Sequence, residues 1–127
     1  MKLELLDDTF AIHRLSPSAK IPEAVLENAF FGIIKTDQEL CIICRSSLGL
    51  DSEYCDRGWS CIKVLGLLDL TSTGILAKLS RVLANAQISI FVISTYDTDY
   101  ILVKKEKTKK AVLALKTAGY QFMEKTL

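Results

Sequence analysis

A cluster of hydroxyl and carboxylate side chains lies between two apolar runs in the second half of the chain. The stretch Ile88–Val103 consists of two short runs rich in Ile and Val that are joined by a polar turn, which is typical of a β-hairpin. The turn could hold a small cationic or zwitterionic ligand, or it could only solvate a loop, because Asp often bonds its own backbone in turns. The candidate side chains are Ser94, Thr95, Tyr96, Asp97 and Asp99.

The four cysteines and the single histidine are the residues that could form a redox pair or bind a metal. Cys41 and Cys44 have the C-x-x-C spacing, but they lie in an apolar run that predicts a strand, where residues three apart point to opposite faces. A redox pair also favours a helix N-terminus, which lowers the thiolate pKa. A zinc site needs four ligands, and His13 is the only histidine. The pattern therefore predicts Cys41, Cys44, Cys55 and Cys61 as reduced small hydrophobes, with no metal and no cofactor.

No set of residues in the sequence has the pattern of a catalytic centre. His13 is isolated in an apolar run, so no Ser or Cys has a plausible base and acid partner. There is no glycine-rich phosphate loop. Asp97 and Asp99 could serve as an acid and a base, but nothing beside them resembles a nucleophile. We expect a protein that is not an enzyme.

The overall composition narrows the classes of partner and compartment. The chain has 127 residues, 50% of them hydrophobic, and a formal net charge of +1. This is enough material for one compact unit, and it lacks the basic excess that nucleic acid binding favours. No apolar run approaches the ~20 residues of a membrane span, and the N-terminus has no signal-peptide pattern. We expect a cytoplasmic protein with neither nucleic acid nor membrane as a partner.

The second half of the chain predicts six elements in sequence. Trp59–Gly66 reads as a strand, and the hairpin lies between two helical segments. The second helix is Lys105–Ala118, and Tyr120–Glu124 is long enough for a last strand. The first helix is indicated by apolar residues at helical spacing: Ile75, Leu76, Leu79, Val82, Leu83 and Ala86.

The first half repeats this order in a degraded form. Phe10–Leu15 predicts a strand, and Pro22–Asn28 predicts a short helix with proline where a first turn tolerates it. Phe30–Thr36 and Glu39–Arg45 predict a second hairpin, and Asp51–Cys55 predicts a helical turn.

The common order of the two halves indicates an internal duplication. The predicted fold class is α+β, with two ferredoxin-like βαββαβ repeats packed as one unit and antiparallel sheets that carry helices on one face. Residues 1–57 form the degenerate N-terminal repeat and residues 58–127 form the C-terminal repeat.

Four segments of the chain resemble a known family. Phe10–Leu15, Gly58-Trp59, Val64–Leu76 and Ile88–Val103 are similar to the small bacterial tandem ACT-domain proteins. The wider relatives include the regulatory ACT domains of aspartate kinases and the CASTOR arginine sensors. The resemblance implies a regulatory or sensing protein, usually dimeric, that binds an amino acid.

The resemblance also implies where a ligand would lie, between the loop after the first strand of a repeat and a neighbouring ACT domain. The opposite wall is Ser94–Asp97, with Asp99 beyond it. A helix N-terminus offers free N–H groups and partial positive charge to a carboxylate, and Gly74 allows close approach to the backbone. Asp97 and Asp99 could meet an α-ammonium or a Lys or Arg side chain. The loop residues implied as ligand-binding are Asp69, Leu70, Thr71, Ser72, Thr73, Gly74 and Ile75.

A plainer interpretation of the same loop remains open. One of Thr71, Ser72 and Thr73 is expected to supply an ordinary helix N-cap, and Asp69 could only stabilise the loop. The first repeat carries Lys20–Glu23 at the equivalent helix start, which lacks the Thr-Ser-Thr-Gly character. We expect no working site there.

The sequence thus predicts a non-catalytic regulatory protein that binds a small effector, an amino acid, at an ACT–ACT interface. A homodimer is expected, and its protein partner is not identified. The alternative is a ligand-free module for oligomerisation or for protein–protein interaction.

Overall fold

The computed structural model describes residues 1–66 and 73–123. Contacts within the chain divide it into two units. The N-terminal unit is Asp8–Trp59, and the C-terminal unit consists of Met1–Asp7 together with Ser60–Leu127. The elements in chain order are β1 (Lys2–Leu15), α1 (Glu23–Leu26), β2 (Gly32–Lys35), β3 (Leu40–Arg45), β4 (Tyr54–Val64), α2 (Ile75–Asn85), β5 (Ile90–Ser94), β6 (Asp99–Lys104), a 3-10 turn (Lys105–Lys107), α3 (Thr108–Thr117) and β7 (Gln121–Phe122).

Most predicted elements are present, with shifted ends. The strand expected at Phe10–Leu15 is longer, because β1 already begins at Lys2. The helical turn expected at Asp51–Cys55 is wrong, since Tyr54 and Cys55 begin β4. Asp, Ser and Glu are residue types that often start a helix, but here pairing within a sheet outweighs the local preference.

The first residues of β1 are part of the sheet of the C-terminal unit. Leu65 donates its backbone N–H to the Lys2 carbonyl at 2.9 Å, and β1 neighbours β4. On its other side β1 pairs with β7, with Lys2 opposite Gln121. This β1–β7 pairing is parallel, so the expectation of purely antiparallel sheets is wrong at this place. The cause is that the segment from the start of the chain takes the position beside the last strand.

The core of the C-terminal unit lies between its sheet and two helices. Leu79 and Leu83 of α2, and Ala111 and Leu115 of α3, are fully buried at i, i+4 spacing. They pack against alternate residues of three strands, so the helices cover one face of this sheet. The strand residues in this cluster are Leu3, Ile62, Val64, Ile101 and Val103.

The N-terminal unit has a smaller core. β1 pairs antiparallel with β3, with Leu15 opposite Leu40, and β3 pairs antiparallel with β2. The helix α1 has only four residues and buries Val25. One buried cluster among the described residues of this unit consists of Leu15, Val25, Leu40, Ile42 and Cys44.

His13 is fully buried in the N-terminal unit. Its Nδ1 forms a 2.8 Å hydrogen bond with the Ser52 hydroxyl, and its Nε2 finds no partner among the described residues. Burial, and secondly the charge of Arg57, lower the pKa of His13. The structure therefore holds this imidazole in its neutral form near pH 7.

This burial predicts a stability that depends on pH. Between the lowered folded pKa and the ordinary value of 6.5, the unfolded chain binds more protons at His13 than the folded chain does. We expect the free energy of unfolding to fall as the pH drops below 6.5, and this loss to level off below the folded pKa. Urea unfolding of the wild type and of His13→Gln across this range tests it. A wild-type slope equal to the slope of His13→Gln would contradict the assignment.

Candidate functional site

The hairpin turn between β5 and β6 is closed by its own hydrogen bonds. The Thr95 backbone N–H donates to the Thr98 carbonyl at 2.8 Å, and the Thr98 N–H donates to the Thr95 hydroxyl at 3.2 Å. The Ser94 hydroxyl donates to Asp99 Oδ1 at 2.6 Å. Tyr96 and Asp97 are exposed. The turn therefore presents Asp97 freely, whereas one Asp99 oxygen already accepts a bond.

Thr98 connects this turn to the end of β4. Its side chain is only 6% exposed, and its hydroxyl donates to the Val64 carbonyl at 2.6 Å. Val64 is the last residue of β4, so this bond joins the turn to the end of that strand. The sequence analysis did not single out Thr98, because a single hydroxyl in a polar turn gives no periodic signal.

The helix α2 begins at a glycine. Its N-cap is Gly74, in the left-handed region with φ 81°, and this residue has no side chain that could cap the helix. The expectation that Thr73 could cap the helix is therefore wrong, and the chain bends instead at a residue without a Cβ. The Lys78 N–H donates to the Gly74 carbonyl at 3.0 Å. The three N–H groups before Lys78 have no partner within the helix. The predicted site residues Asp69, Leu70, Thr71 and Ser72 lie outside the described residues.

A cavity of about 200 Å³ lies beside the start of α2. The Lys78 ammonium group, which comes from the first turns of the helix, also lies 5.9 Å from the centre of the Tyr120 ring. The ammonium group, together with the N–H groups that have no partner within the helix, makes this end of the helix attractive to a carboxylate. The lining residues are Met1, Thr73, Gly74, Ile75, Lys78, Ala118, Gly119 and Tyr120.

Only some of the predicted site residues line this cavity. Thr73, Gly74 and Ile75 line it, whereas Ser94, Thr95, Tyr96, Asp97 and Asp99 do not. Sequence reasoning missed Lys78 and Tyr120, because neither has a special spacing to the loop. The one available signal was that Lys78 lies four residues, or about one helical turn, after Gly74.

Gly74 gives a direct test of this helix start. A Cβ at this position would meet no atom of the described residues within 4 Å, so we expect an added side chain to cost backbone strain and not a clash. We expect Gly74→Ala to lower the free energy of unfolding by about 1–2 kcal/mol, the cost of a left-handed L-residue. Thermal or urea unfolding measures this, and Gly49→Ala is the control, because Gly49 also has open space. An equal loss in both variants would contradict the explanation.

Cys44 and Cys61 are buried as small hydrophobes, whereas Cys41 is half-buried and Cys55 is exposed, so the expectation of a small hydrophobe is wrong for Cys55. β3 is a regular strand from Leu40 to Arg45, so Cys41 and Cys44 lie on opposite faces. Burial raises the pKa of both thiols, and it raises the pKa of Cys61 to about 12. Thiols of this kind are poor nucleophiles at neutral pH. The described residues contain no group of three or more His, Cys, Asp and Glu that could hold a metal ion.

The α-helices among the described residues have four to eleven residues. None of them combines the length and the apolar character that crossing a membrane would require.

Comparison with protein families assigns the chain to a class. A model of the ACT domain matches residues 54–117, about half of the chain. A second model, which describes an N-terminal domain, matches residues 8–47. The chain therefore belongs to the ACT-domain family. No curated protein sequence matches it.

Solved structures give relatives over nearly the whole length. Protein Atu0741 from Agobacterium tumefaciens is 35% identical, with a TM-score of 0.89 over 99% of this chain and 94% of that one. VC0802 from Vibrio cholerae, described as a possible transport protein, is 24% identical, with a TM-score of 0.69 over 89% and 85% of the two chains. The regulatory subunit of aspartate kinase from Thermus flavus is 12% identical, with a TM-score of 0.68 over 93% and 97%. The last two likenesses concern the fold.

Proposed function

We propose that this chain is a non-catalytic regulatory protein of the cytoplasm that binds an amino acid. The observation that carries the proposal is the cavity at the start of α2 in a member of the ACT-domain family. Three of its lining residues, Thr73, Gly74 and Ile75, belong to the loop that the family resemblance marks as ligand-binding. The regulatory subunit of an aspartate kinase has a similar fold, which supports the regulatory role.

The size and charge of the cavity favour a small acid. Its volume of about 200 Å³ is below the roughly 300–1,000 Å³ of sites for drug-sized ligands. A carboxylate at the open helix end would receive backbone N–H bonds and the charge of Lys78. The ring of Tyr120 and the Met1 side chain would contact the apolar part of the ligand.

The α-ammonium group needs an acidic partner. No lining residue of the cavity among those described is acidic. Asp97 is exposed at the hairpin turn, Asp99 is next to it, and Asp69 is in the ligand loop by sequence. We propose that these carboxylates complete the site at an ACT–ACT interface, with a homodimer supplying the second wall. Binding would then change the association of the subunits or of a protein partner, which is how a site without chemistry regulates.

We further propose that both units are ACT repeats of the ferredoxin-like type. The N-terminal unit runs β1, α1, β2 and β3, the order of the first four elements of such a repeat. The C-terminal unit supplies the ligand-binding loop, whereas the short α1 offers no comparable site.

The proposed function predicts a selective thermal stabilisation. The purified protein is heated with each of the twenty amino acids at millimolar concentration. A ligand that binds only the folded chain raises its stability by about 2.7 kcal/mol at a hundredfold excess over the dissociation constant. We expect one amino acid, or one chemically related set, to raise the melting temperature. If none does, the ligand-free interaction module becomes the better explanation.

Three variants identify the site of this response. Lys78→Met should weaken the response by removing the charge beside the carboxylate, and Asp97→Ala with Asp99→Ala should weaken it at the ammonium end. Lys35→Met is the matched control, since Lys35 is exposed in the N-terminal unit. A response that survives in the Lys78 and Asp97/Asp99 variants would place the ligand elsewhere.

A further inference from the structure

Basic residues are concentrated on the helices of the C-terminal unit. The helices α2 and α3 contain no acidic residue, and the 3-10 turn contains only Glu106. These segments hold seven of the sixteen basic residues, which leaves the rest of the chain with nine basic and fourteen acidic residues. A near-neutral chain thus has one strongly positive helical layer. The basic residues are Lys78, Arg81, Lys105, Lys107, Lys109, Lys110 and Lys116.

A groove of about 530 Å³ lies between α2 and α3 in this basic layer. Leu113 stands on its wall and is 66% exposed, on a helix that buries Ala111 and Leu115 on another side. The lining residues are Val82, Asn85 and Ala86 from α2, and Lys110, Leu113, Ala114, Thr117 and Ala118 from α3 and its C-cap.

The groove residues of α3 are separate from the residues that build the core, whereas Val82 and Ala86 of α2 also pack against the core. The core side of α3 is formed by Ala111 and Leu115, and that of α2 by Leu79 and Leu83. The groove residues of α3 follow the spacing i, i+3, i+4, i+7, which is that of a second helical stripe. Small side chains on both helices leave room for the backbone of a third helix to approach. The apolar groove is therefore available without any change of fold.

We propose that this groove docks an amphipathic helix of a partner protein whose flanks are acidic. The apolar face of that helix would cover Leu113 and the alanines, as in other helix-in-groove complexes. Its Asp and Glu residues would meet Lys110 and the neighbouring Lys109 and Lys116 at the rim. Charge complementarity of this kind accelerates association and excludes wrong partners.

The charges and shape of the groove disfavour three other occupants, which are a second copy of the chain, a duplex nucleic acid and a membrane surface. A second copy that packed its own α2 and α3 there would bring two basic layers together, and like charges in an interface are costly. A duplex nucleic acid would meet an apolar and concave floor in place of a continuous basic face. A membrane surface is flat, whereas this groove is concave. The docking also goes beyond amino-acid binding, since groove and cavity share only Ala118 among the described residues.

An NMR titration of the intact ¹⁵N-labelled protein tests the proposal. The probe is a synthetic eighteen-residue helical peptide with Leu at i, i+3, i+4 and i+7 and Glu on its flanks, and a peptide of the same composition in scrambled order is the control. We expect saturable shifts of amide signals confined to α2 and α3, and at least about tenfold weaker binding of the scrambled peptide.

Substitutions at two exposed positions on α3 distinguish docking in the groove from general electrostatic attraction. Leu113→Asp should weaken binding at least about tenfold, the range expected of a central apolar anchor. Lys110→Glu should weaken binding more than Lys35→Glu, which changes the net charge equally but lies in the N-terminal unit. The dispersion of the spectra confirms that each variant is folded.

Four results would overturn the proposal. The first is the absence of shifts at about 1 mM peptide, and the second is equal binding of the scrambled peptide. The third is broadening of groove signals with protein concentration alone, because a second copy would then occupy the groove. The fourth is tighter, Leu113-dependent binding to phosphatidylserine-containing vesicles or to a twenty-base-pair DNA duplex than to the peptide.

Discussion

Replacing Leu3 by alanine is expected to lower the free energy of unfolding of the C-terminal unit by about 2–5 kcal/mol. Leu3 is fully buried and belongs to the cluster that contains Leu79, Leu83 and Leu115. Its truncation removes apolar contacts and leaves a cavity below two helices. Urea unfolding, followed by the signals of α2 and α3, measures the loss.

The neighbouring Lys2 provides the control for this prediction. Lys2 lies on the same strand but is exposed, so Lys2→Ala should change stability by no more than about 0.5 kcal/mol. A stronger form of the test uses a fragment of residues 58–127, which lacks the strand between β4 and β7. We expect this fragment to be unfolded or only partly folded, and a peptide of residues 1–9 to restore its structure. A fragment that folds alone would show that Leu3 is dispensable.

Replacing Thr98 by valine is expected to cost about 1–3 kcal/mol, because the Val64 carbonyl loses a buried donor. Valine has nearly the same shape as threonine, so the loss in stability reports the hydroxyl and not a change in side-chain packing. Since Thr98 ties the hairpin turn to the end of β4, we also expect the variant to lose part of its response to an amino acid. Thermal unfolding with and without ligand measures both effects.

Thr95→Val is the control that distinguishes the buried Thr98–Val64 bond from the hydrogen bonds within the turn. Thr95 is exposed, and water can replace the bonds that its hydroxyl makes with the Thr98 backbone. A loss below about 1 kcal/mol is therefore expected. If the two valine variants were equally destabilised, the bond to Val64 would have no special role.

Periodic segments of the sequence were predicted well. The helices α2 and α3 follow from apolar residues three and four apart, and β5 and β6 follow from short Ile- and Val-rich runs around a polar turn. These signals are local, since each element shows its buried face in its own residues. In the structure Ser94 lies opposite Asp99 in this hairpin, within the polar stretch that was expected to form the turn.

Local sequence patterns could not predict the features that bring distant parts of the chain together. Met1, Lys78 and Tyr120 meet at one cavity, although they are far apart in sequence and share no motif. The pairing of β1 with β7 depends on which strand reaches the sheet edge, and local residue types do not specify that. Asp51–Cys55 failed for the same reason, because a strand partner overruled its helix-like start.

The passage of β1 through the C-terminal sheet has a consequence for the order of folding. Lys2 is paired with Gln121, so β1 is synthesised well before the strand with which it pairs. Contacts of such long sequence separation slow folding, since the loop entropy is lost before the contact stabilises the chain. The N-terminal unit, whose strands pair within Asp8–Trp59, can form while the chain is still growing. The sheet of the other unit can close only after β7 has emerged, and until then it exposes apolar edges that chaperones recognise.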